Sequence, residues 1–261
     1  MFRLTAFLTA ALFSAAASGQ TTPWRPGYGP ADAQAPLTRP AGFEFWPGAK
    51  YDPAIPTLES VVGHRNGERI TRPEDAVRYL GALRRAAPLR MRLFEYARSW
   101  EGRPLVYAVI GSEAMIARLD AIKKDIARAA DPSLPLGDAL SNLPATVFLS
   151  YSVHGNEISG TDAALLTAYH LIAATEDATV DKIKRDALVF IDPSQNPDGR
   201  ARFVHNFEIA EGLENSGSAI AAERNEPWPG GRTNHYLFDM NRDWFALTQP
   251  ETRGRIRLLR E

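Results

Sequence analysis

Hydrophobic positions in the first half of the chain follow two spacings, one typical of helices and the other typical of strands. Apolar residues at helical spacing predict helices over 74–87 and 115–129. Short, nearly continuous apolar runs predict strands over 89–97 and 104–110. The segment between these strands contains Gly102, so we expect a hairpin-like turn there.

The second half of the chain alternates between apolar strands and helices. Strands are predicted at 145–151 and 187–191, with a helix at 158–173 and a shorter one at 180–185 between them. Strands that are apolar at nearly every position are typical of a sheet with both faces covered. We therefore predict an α/β fold with a mixed, largely parallel central sheet flanked by helices.

A last helix is predicted over 250–260, with Thr248 as its cap. It carries four arginines, and we expect them to form a solvated face: Arg253, Arg255, Arg257 and Arg260.

The N-terminal part of the chain predicts a targeting segment followed by an irregular arm. Residues 1–19 combine a basic start, an apolar run and small residues, a pattern typical of a secretory signal peptide, and the run is too short to span a bilayer. We therefore expect export to the periplasm or the extracellular space. Residues 20–71 form a Pro- and Gly-rich arm whose aromatic residues are expected to lie against the domain formed by 72–261.

Composition narrows the classes of function. The chain has no Cys, which excludes both a lipid-modified anchor and disulfide bonds. Lys and Arg number 30 against 31 Asp and Glu, for a formal net charge of −1, so there is no electrostatic case for a nucleic-acid partner or an anionic surface. No membrane anchor is expected, and the sequence leaves the oligomeric state open.

Residues capable of chemistry follow two of the predicted strands. His154 and Glu157 come directly after the strand 145–151, and the turn 196–199 (Asn-Pro-Asp-Gly) follows the strand 187–191. An imidazole and a carboxylate three residues apart can share one zinc ion. Functional groups of such sheets gather beyond the carboxyl ends of the strands, so we expect these two segments to converge.

Three landmarks, in this order, resemble the zinc carboxypeptidase family, that is, the carboxypeptidase A/B-like metallopeptidases. They are His154-Gly-Asn-Glu157, Asn196-Pro-Asp-Gly199 and Asn241-Arg242-Asp-Trp244. The resemblance implies that His154 and Glu157 are zinc ligands. It also implies that Asn241 and Arg242 hold the terminal carboxylate of a peptide or protein substrate, for which the planar guanidinium is well suited. The alternative for Arg242 is an ordinary surface ion pair with Asp239 or Asp243.

An arginine upstream of the Asn-Arg pair stabilises the oxyanion in this family. Arg232 is our candidate, because two preceding glycines allow the backbone to carry it into a cleft. Arg224 is an alternative, and so are Arg200 and Arg202.

The resemblance covers residues 72–261, the first part of the family's catalytic domain. The family's third zinc ligand, its general-base Glu and its substrate-contacting Tyr lie later, so we expect a carboxypeptidase-like fold that is incomplete at the C-terminus. The alternatives for a third ligand within this chain are His235 and His205.

The function that the resemblance implies is zinc-dependent hydrolysis of a C-terminal peptide bond, and we expect this chain to be a fragment that is itself inactive. Related hydrolases remain alternatives: deacylases that cut N-acyl amino acids and enzymes that cut peptidoglycan stem peptides. A third alternative is a module that binds a peptide C-terminus without cutting it.

Overall fold

The computed structural model describes residues 42–133, 143–213 and 215–260. The predicted signal peptide and the first half of the predicted arm lie outside these residues. Within them, no helix is long and apolar enough to cross a membrane.

Helices and short strands alternate along the described chain. In order they are β1 (Lys50–Tyr51), α1 (Leu58–Val62), α2 (Pro73–Ala86), β2 (Met91–Arg98), β3 (Pro104–Ile110), α3 (Glu113–Ala117), α4 (Leu119–Ala129), β4 (Ala145–Ser150), α5 (Ser159–Ala173), β5 (Ala174–Thr175), α6 (Ala178–Asp186), β6 (Ala187–Asp192), α7 (Pro197–Ala210) and α8 (Pro250–Arg260).

Four strands form the central sheet, in the order β2–β3–β6–β4. β2 and β3 are an antiparallel hairpin, and β3 also runs antiparallel to β6. β4 and β6 are parallel, with Val147 opposite Val189. The sheet is mixed, as predicted, but one of these three pairs is parallel where we expected a largely parallel sheet. The reason is the tight hairpin turn, which forces β3 to run opposite to β2.

Helices cover both faces of the sheet, as the apolar strands predicted. On one face α2 and α5 pack against the strands through a large core that includes Leu83, Leu165 and Ile191. On the other face α3 and α4 pack on Val109 and Leu188. The two inner strands, β3 and β6, therefore bury side chains on both faces, whereas β4 has no fully buried residue.

Three elements differ from the predictions. The helix expected over 115–129 is interrupted at Arg118, which separates α3 from α4. The sequence 196–199 was interpreted as a turn only, whereas Pro197 is the first residue of the 14-residue helix α7. The expected solvated face of α8 was wrong at Arg255, which is 1% exposed because the helix packs closely on β2.

The described end of the arm lies against the domain, as its aromatic residues predicted. Trp46 stacks on His170 of α5, with ring centroids 3.8 Å apart. Ile55 and Leu58, which follow, are buried in the main core. The arm thus joins the fold before α2 begins.

Candidate metal and carboxylate-binding site

Two loops meet at the carboxyl ends of the parallel strands β4 and β6. His154 and Glu157 lie in the loop after β4, and Asn196 caps α7 after β6. Backbone hydrogen bonds continue the strand pairing into the loops, from Asn196 N–H to the Ser152 carbonyl at 3.1 Å. The convergence expected from the strand order is therefore present.

Three glycines hold the loops of the site in backbone contact. A Cβ atom on Gly155 would lie 2.1 Å from the Arg200 nitrogen, and one on Gly199 would lie 2.3 Å from the Gly231 carbonyl oxygen. Gly155 N–H donates to that same carbonyl at 2.9 Å. The His154 loop, the start of α7 and the loop before Arg232 are thus packed at a distance that only glycine allows.

The imidazole of His154 is buried between two carboxylates. Its Nδ1 lies 2.8 Å from Glu157 Oε1, and its Nε2 lies 3.0 Å from Asp239 Oδ1. A neutral imidazole has one N–H, so it can donate to only one of these carboxylates. The guanidinium of Arg232, which can only donate, lies 3.4 Å from Nδ1, and this contact favours the tautomer with its proton on Nε2, facing Asp239.

This arrangement fits a zinc site. Asp239 fixes the proton on Nε2 and leaves the Nδ1 lone pair directed at Glu157, as outer carboxylates do for metal-binding histidines. Among the residues that the structure describes, no group of three His, Cys, Asp or Glu side chains is arranged to hold a metal ion. His154 and Glu157, the two ligands that the resemblance implies, do lie together.

Arg232 shares the Asp239 carboxylate with His154. Its Nε and Nη2 donate to Asp239 Oδ2 at 3.2 and 3.0 Å, and its Nη1 lies 3.4 Å from His154 Nδ1. Burial alone would raise the pKa of Asp239, but hydrogen bonds from His154, the Asn241 N–H and Arg232 hold that pKa below its usual value. Asp239 is thus the charged centre that orients both an imidazole and a guanidinium.

The alternative arginines have other partners. Arg200 is fully buried and donates to the carbonyls of Thr71 and Ile158 and to Asp162. Arg202 donates to backbone carbonyls of 230–235, and Arg224 to the carbonyl of Ser216. Of the four candidates, Arg232 is the one beside His154.

The alternative histidines are also placed elsewhere. His235 Nδ1 pairs with Glu101 on the β2–β3 turn at 3.0 Å. His205 is exposed on α7. Neither side chain joins His154 and Glu157 in the described structure.

Asn241 and Arg242 follow Asp239 in a short helical turn, Met240–Arg242. The Asn241 N–H donates to Asp239 Oδ1, the same oxygen that accepts from His154. Arg242 is exposed and donates to the Asn241 carbonyl. The ion pair considered for it, with Asp239 or Asp243, is absent from the described contacts.

The comparisons with known proteins decide the family. Residues 76–256 match the zinc carboxypeptidase family. The chain belongs to the zinc carboxypeptidase family. This match covers most of the chain, including every candidate site residue named above.

Solved zinc carboxypeptidases resemble this chain at low identity. The carboxypeptidase A of Helicoverpa armigera is 19% identical, with a TM-score of 0.47, over 72% of this chain and 42% of that one. A metallo-carboxypeptidase of Burkholderia cenocepacia is 18% identical, with a TM-score of 0.43, over 74% and 38%. The chain thus spans less than half the length of these relatives. No match was found among curated proteins.

At the candidate site, two residues have contacts that the sequence did not predict. Asp239 was considered only as an ion-pair partner for Arg242, although it contacts His154 and Arg232. Asp198 is buried and accepts hydrogen bonds from Ser99 and Arg103 of the β2–β3 turn. The sequence did offer a signal for both residues. Asp198 lies inside the landmark 196–199, and Asp239 lies two positions before Asn241.

Proposed function

We propose that the cleft around His154 binds a zinc ion and the free C-terminus of a peptide, and that its role is hydrolysis of the C-terminal peptide bond. The proposed location is outside the cytoplasm, on the basis of the predicted signal peptide. The observation that carries the proposal is the position of His154 Nδ1, 2.8 Å from Glu157 Oε1, with Asp239 on the opposite nitrogen. Membership of the zinc carboxypeptidase family supports the same chemistry.

Each side chain has a distinct role in this proposal. His154 and Glu157 hold the metal, and Asp239 keeps the ring in the required orientation. A bound zinc ion would polarise the scissile carbonyl and lower the pKa of a water molecule. Arg232 donates to the carbonyl oxygen as it gains negative charge. Asn241 and Arg242 anchor the terminal carboxylate and so place the last peptide bond at the metal.

Calorimetric zinc titration of the 261-residue protein tests the metal site. We expect His154→Ala and Glu157→Gln to abolish measurable binding, because each removes one of two ligands. Asp239→Asn should weaken binding by about 10- to 100-fold, since it releases the ring without removing a ligand. His235→Ala is the control and should bind like the wild type. Equal zinc affinity of His154→Ala and the wild type would refute the site.

A second candidate function is binding of a peptide C-terminus without cleavage. It is favoured by the absence, within the described chain, of a group of three side chains able to hold a metal ion, and because both carboxylates at the site, Glu157 and Asp239, already contact His154. Loss of a general base typically costs about 10²- to 10⁴-fold in rate. Mass spectrometry of a zinc-loaded sample incubated with blocked dipeptides separates the two functions. Turnover that disappears with His154→Ala favours the hydrolase, and saturable binding without turnover favours the binding module.

A further inference from the structure

The amide of Asn241 is held in one orientation by a tryptophan. Trp244 Nε1–H donates to Asn241 Oδ1 at 3.0 Å. An indole N–H can only donate, so it selects the amide oxygen and not the amide nitrogen. The Nδ2 group of Asn241 then faces away from Trp244 and donates to no side chain or carbonyl in the described residues.

This orientation decides what Asn241 can bind. A carboxylate carries acceptors only, so an asparagine that binds one must present its NH₂ group. Without a fixed partner, an exposed amide turns over and presents its oxygen as readily as its nitrogen. The Trp244 hydrogen bond removes that ambiguity before any ligand arrives, which lowers the ordering cost of binding.

Arg255 in turn holds the indole of Trp244. Its guanidinium carbon lies 3.8 Å from the centre of the indole ring, a stacking distance. Nη1 donates to Gln195 Oε1, while Nε and Nη2 have no hydrogen-bond partner in the described structure. Asp192, whose charge lies near Arg255, accepts from Tyr96 and is not an ion-pair partner at contact distance.

A contribution to stability does not explain why position 255 is occupied by a buried arginine. Its side chain is 1% exposed, and burying a guanidinium with two unmade hydrogen bonds is costly. An apolar side chain of similar length would fill the same space at lower cost. What an apolar chain could not supply is a flat cation against the ring that carries the Asn241 hydrogen bond.

We propose that Trp244, supported by Arg255, is a positioning residue that fixes the Asn241 amide with its NH₂ group directed at the carboxylate of the bound peptide. The proposal rests on the proposed function in that the ligand is a free C-terminus. The chain of contacts from Arg255 through Trp244 to Asn241 then sets the preference for a carboxylate over a neutral amide.

Two tryptophan substitutions form a matched test. Trp244→Phe keeps an aromatic ring beneath Arg255 and removes the N–H donor together with the five-membered ring that carries it. Trp100→Phe is the control, because Trp100 is similarly exposed and its Nε1 donates at the same 3.0 Å distance to Gln249 instead of Asn241. The probes are N-acetylglycyl-L-phenylalanine and its C-terminal amide, titrated into ¹⁵N-labelled 261-residue protein. The Asn241 side-chain NH₂ signals, assigned with Asn241→Ser, are followed at the same time.

We expect the wild type and Trp100→Phe to bind the free carboxylate more tightly than the amide. In Trp244→Phe that preference should fall about three- to tenfold, the range for one hydrogen bond. The Asn241 NH₂ signals should shift in Trp244→Phe and stay in place in Trp100→Phe. Arg255→Met should reproduce the loss of preference in a sample whose amide spectrum remains folded.

Each outcome decides a separate point. Unchanged Asn241 signals and unchanged preference in Trp244→Phe would overturn the positioning role. Unchanged preference in a folded Arg255→Met would overturn the part assigned to Arg255. A wild type that does not distinguish acid from amide would instead refute the proposed carboxylate anchoring, and the Asn241 signals would still decide whether Trp244 orients the amide.

Discussion

At the residue scale, three glycines determine how closely the loops of the candidate site approach one another. Gly155 and Gly231 lie in two loops and Gly199 in the first turn of α7, and each has backbone atoms of another of these segments where a Cβ would be. The side chains that they flank, His154 and Arg232, can therefore meet at Asp239. If any of these glycines carried a side chain, the segments would have to move apart, and His154 and Arg232 could not both contact Asp239.

Gly155→Ala should destabilise the protein by about 1–3 kcal/mol or more, as overpacking does, because the new methyl group would lie 2.1 Å from a backbone nitrogen. Gly81→Ala on α2 is the control, since its Cβ would meet only a flexible arginine end at 3.5 Å. A helical Gly→Ala change at such a site should stabilise by about 0.5–1 kcal/mol. Urea denaturation of both variants measures the difference, and a neutral Gly155→Ala would contradict the close packing.

The sequence predicted His154, Glu157 and Arg232 as site residues, and the structure brings all three together. The sequence could not predict the contacts of Asp239, because the spacing of an acidic residue in a loop does not indicate which side chain it will contact. The buried position of Arg255 was missed for a related reason. A charged side chain on a terminal helix is expected to be exposed. Only the packing of α8 on β2 and the contact with Trp244 show that Arg255 is buried.

At the element scale, β4 is the strand with the least cover. It lies at the end of the sheet order, so one side of its backbone has no partner strand among the described elements. Its centre, 147–149, is apolar, yet Val147 is 41% exposed. An apolar edge strand of this kind is a template for pairing with another chain.

Val147→Lys should reduce aggregation of the 261-residue protein, because a charge on an edge strand opposes strand addition. Leu259→Lys on α8 is the control, since Leu259 is similarly exposed at 48% but lies on a helix. Light scattering at rising protein concentration compares the two. The same aggregation onset for both variants would show that β4 is not the surface responsible.

The sequence predicted the larger elements well, because their apolar spacing is strong and local. α2, β3, α5 and α8 begin and end within one residue of the predicted positions. α7 was missed because its start, Asn196-Pro197, is an equally good turn, and because its sequence has mixed polarity on every side. Only the cap, in which Asn196 Oδ1 accepts from Gly199 N–H, distinguishes the two.

At the scale of the whole molecule, one buried acid links stability to pH. Asp192 is fully buried at the end of β6, and burial raises its pKa to about 7, against the lowering effects of the Tyr96 hydrogen bond and the nearby Arg255. The folded state therefore keeps this proton at pH values where the unfolded chain has lost it. The stabilising contribution is complete below about pH 4 and is lost as the pH rises towards 7.

Asp192→Asn should remove this dependence, because the amide resembles the protonated acid and does not titrate. We expect the stability of the wild type relative to Asp192→Asn to fall between pH 4 and pH 7, by on the order of 1 kcal/mol per pH unit at most. Urea denaturation across this range measures the difference. Asp120→Asn, at an exposed position on α4, is the control, and a wild type that gained stability over Asp192→Asn with rising pH would contradict the expected sign.

The hydrogen bonds of Asp198 connect the candidate site to a part of the chain that is distant in sequence. Its carboxylate accepts from Ser99, 99 residues earlier, and no shorter segment contains this contact. The β2–β3 hairpin can form from neighbouring residues, but α7 gains its support only after a long loop has closed. A peptide that carries the His154 or Asn196 motif alone therefore cannot reproduce the site, which exists only once distant parts of the chain have met.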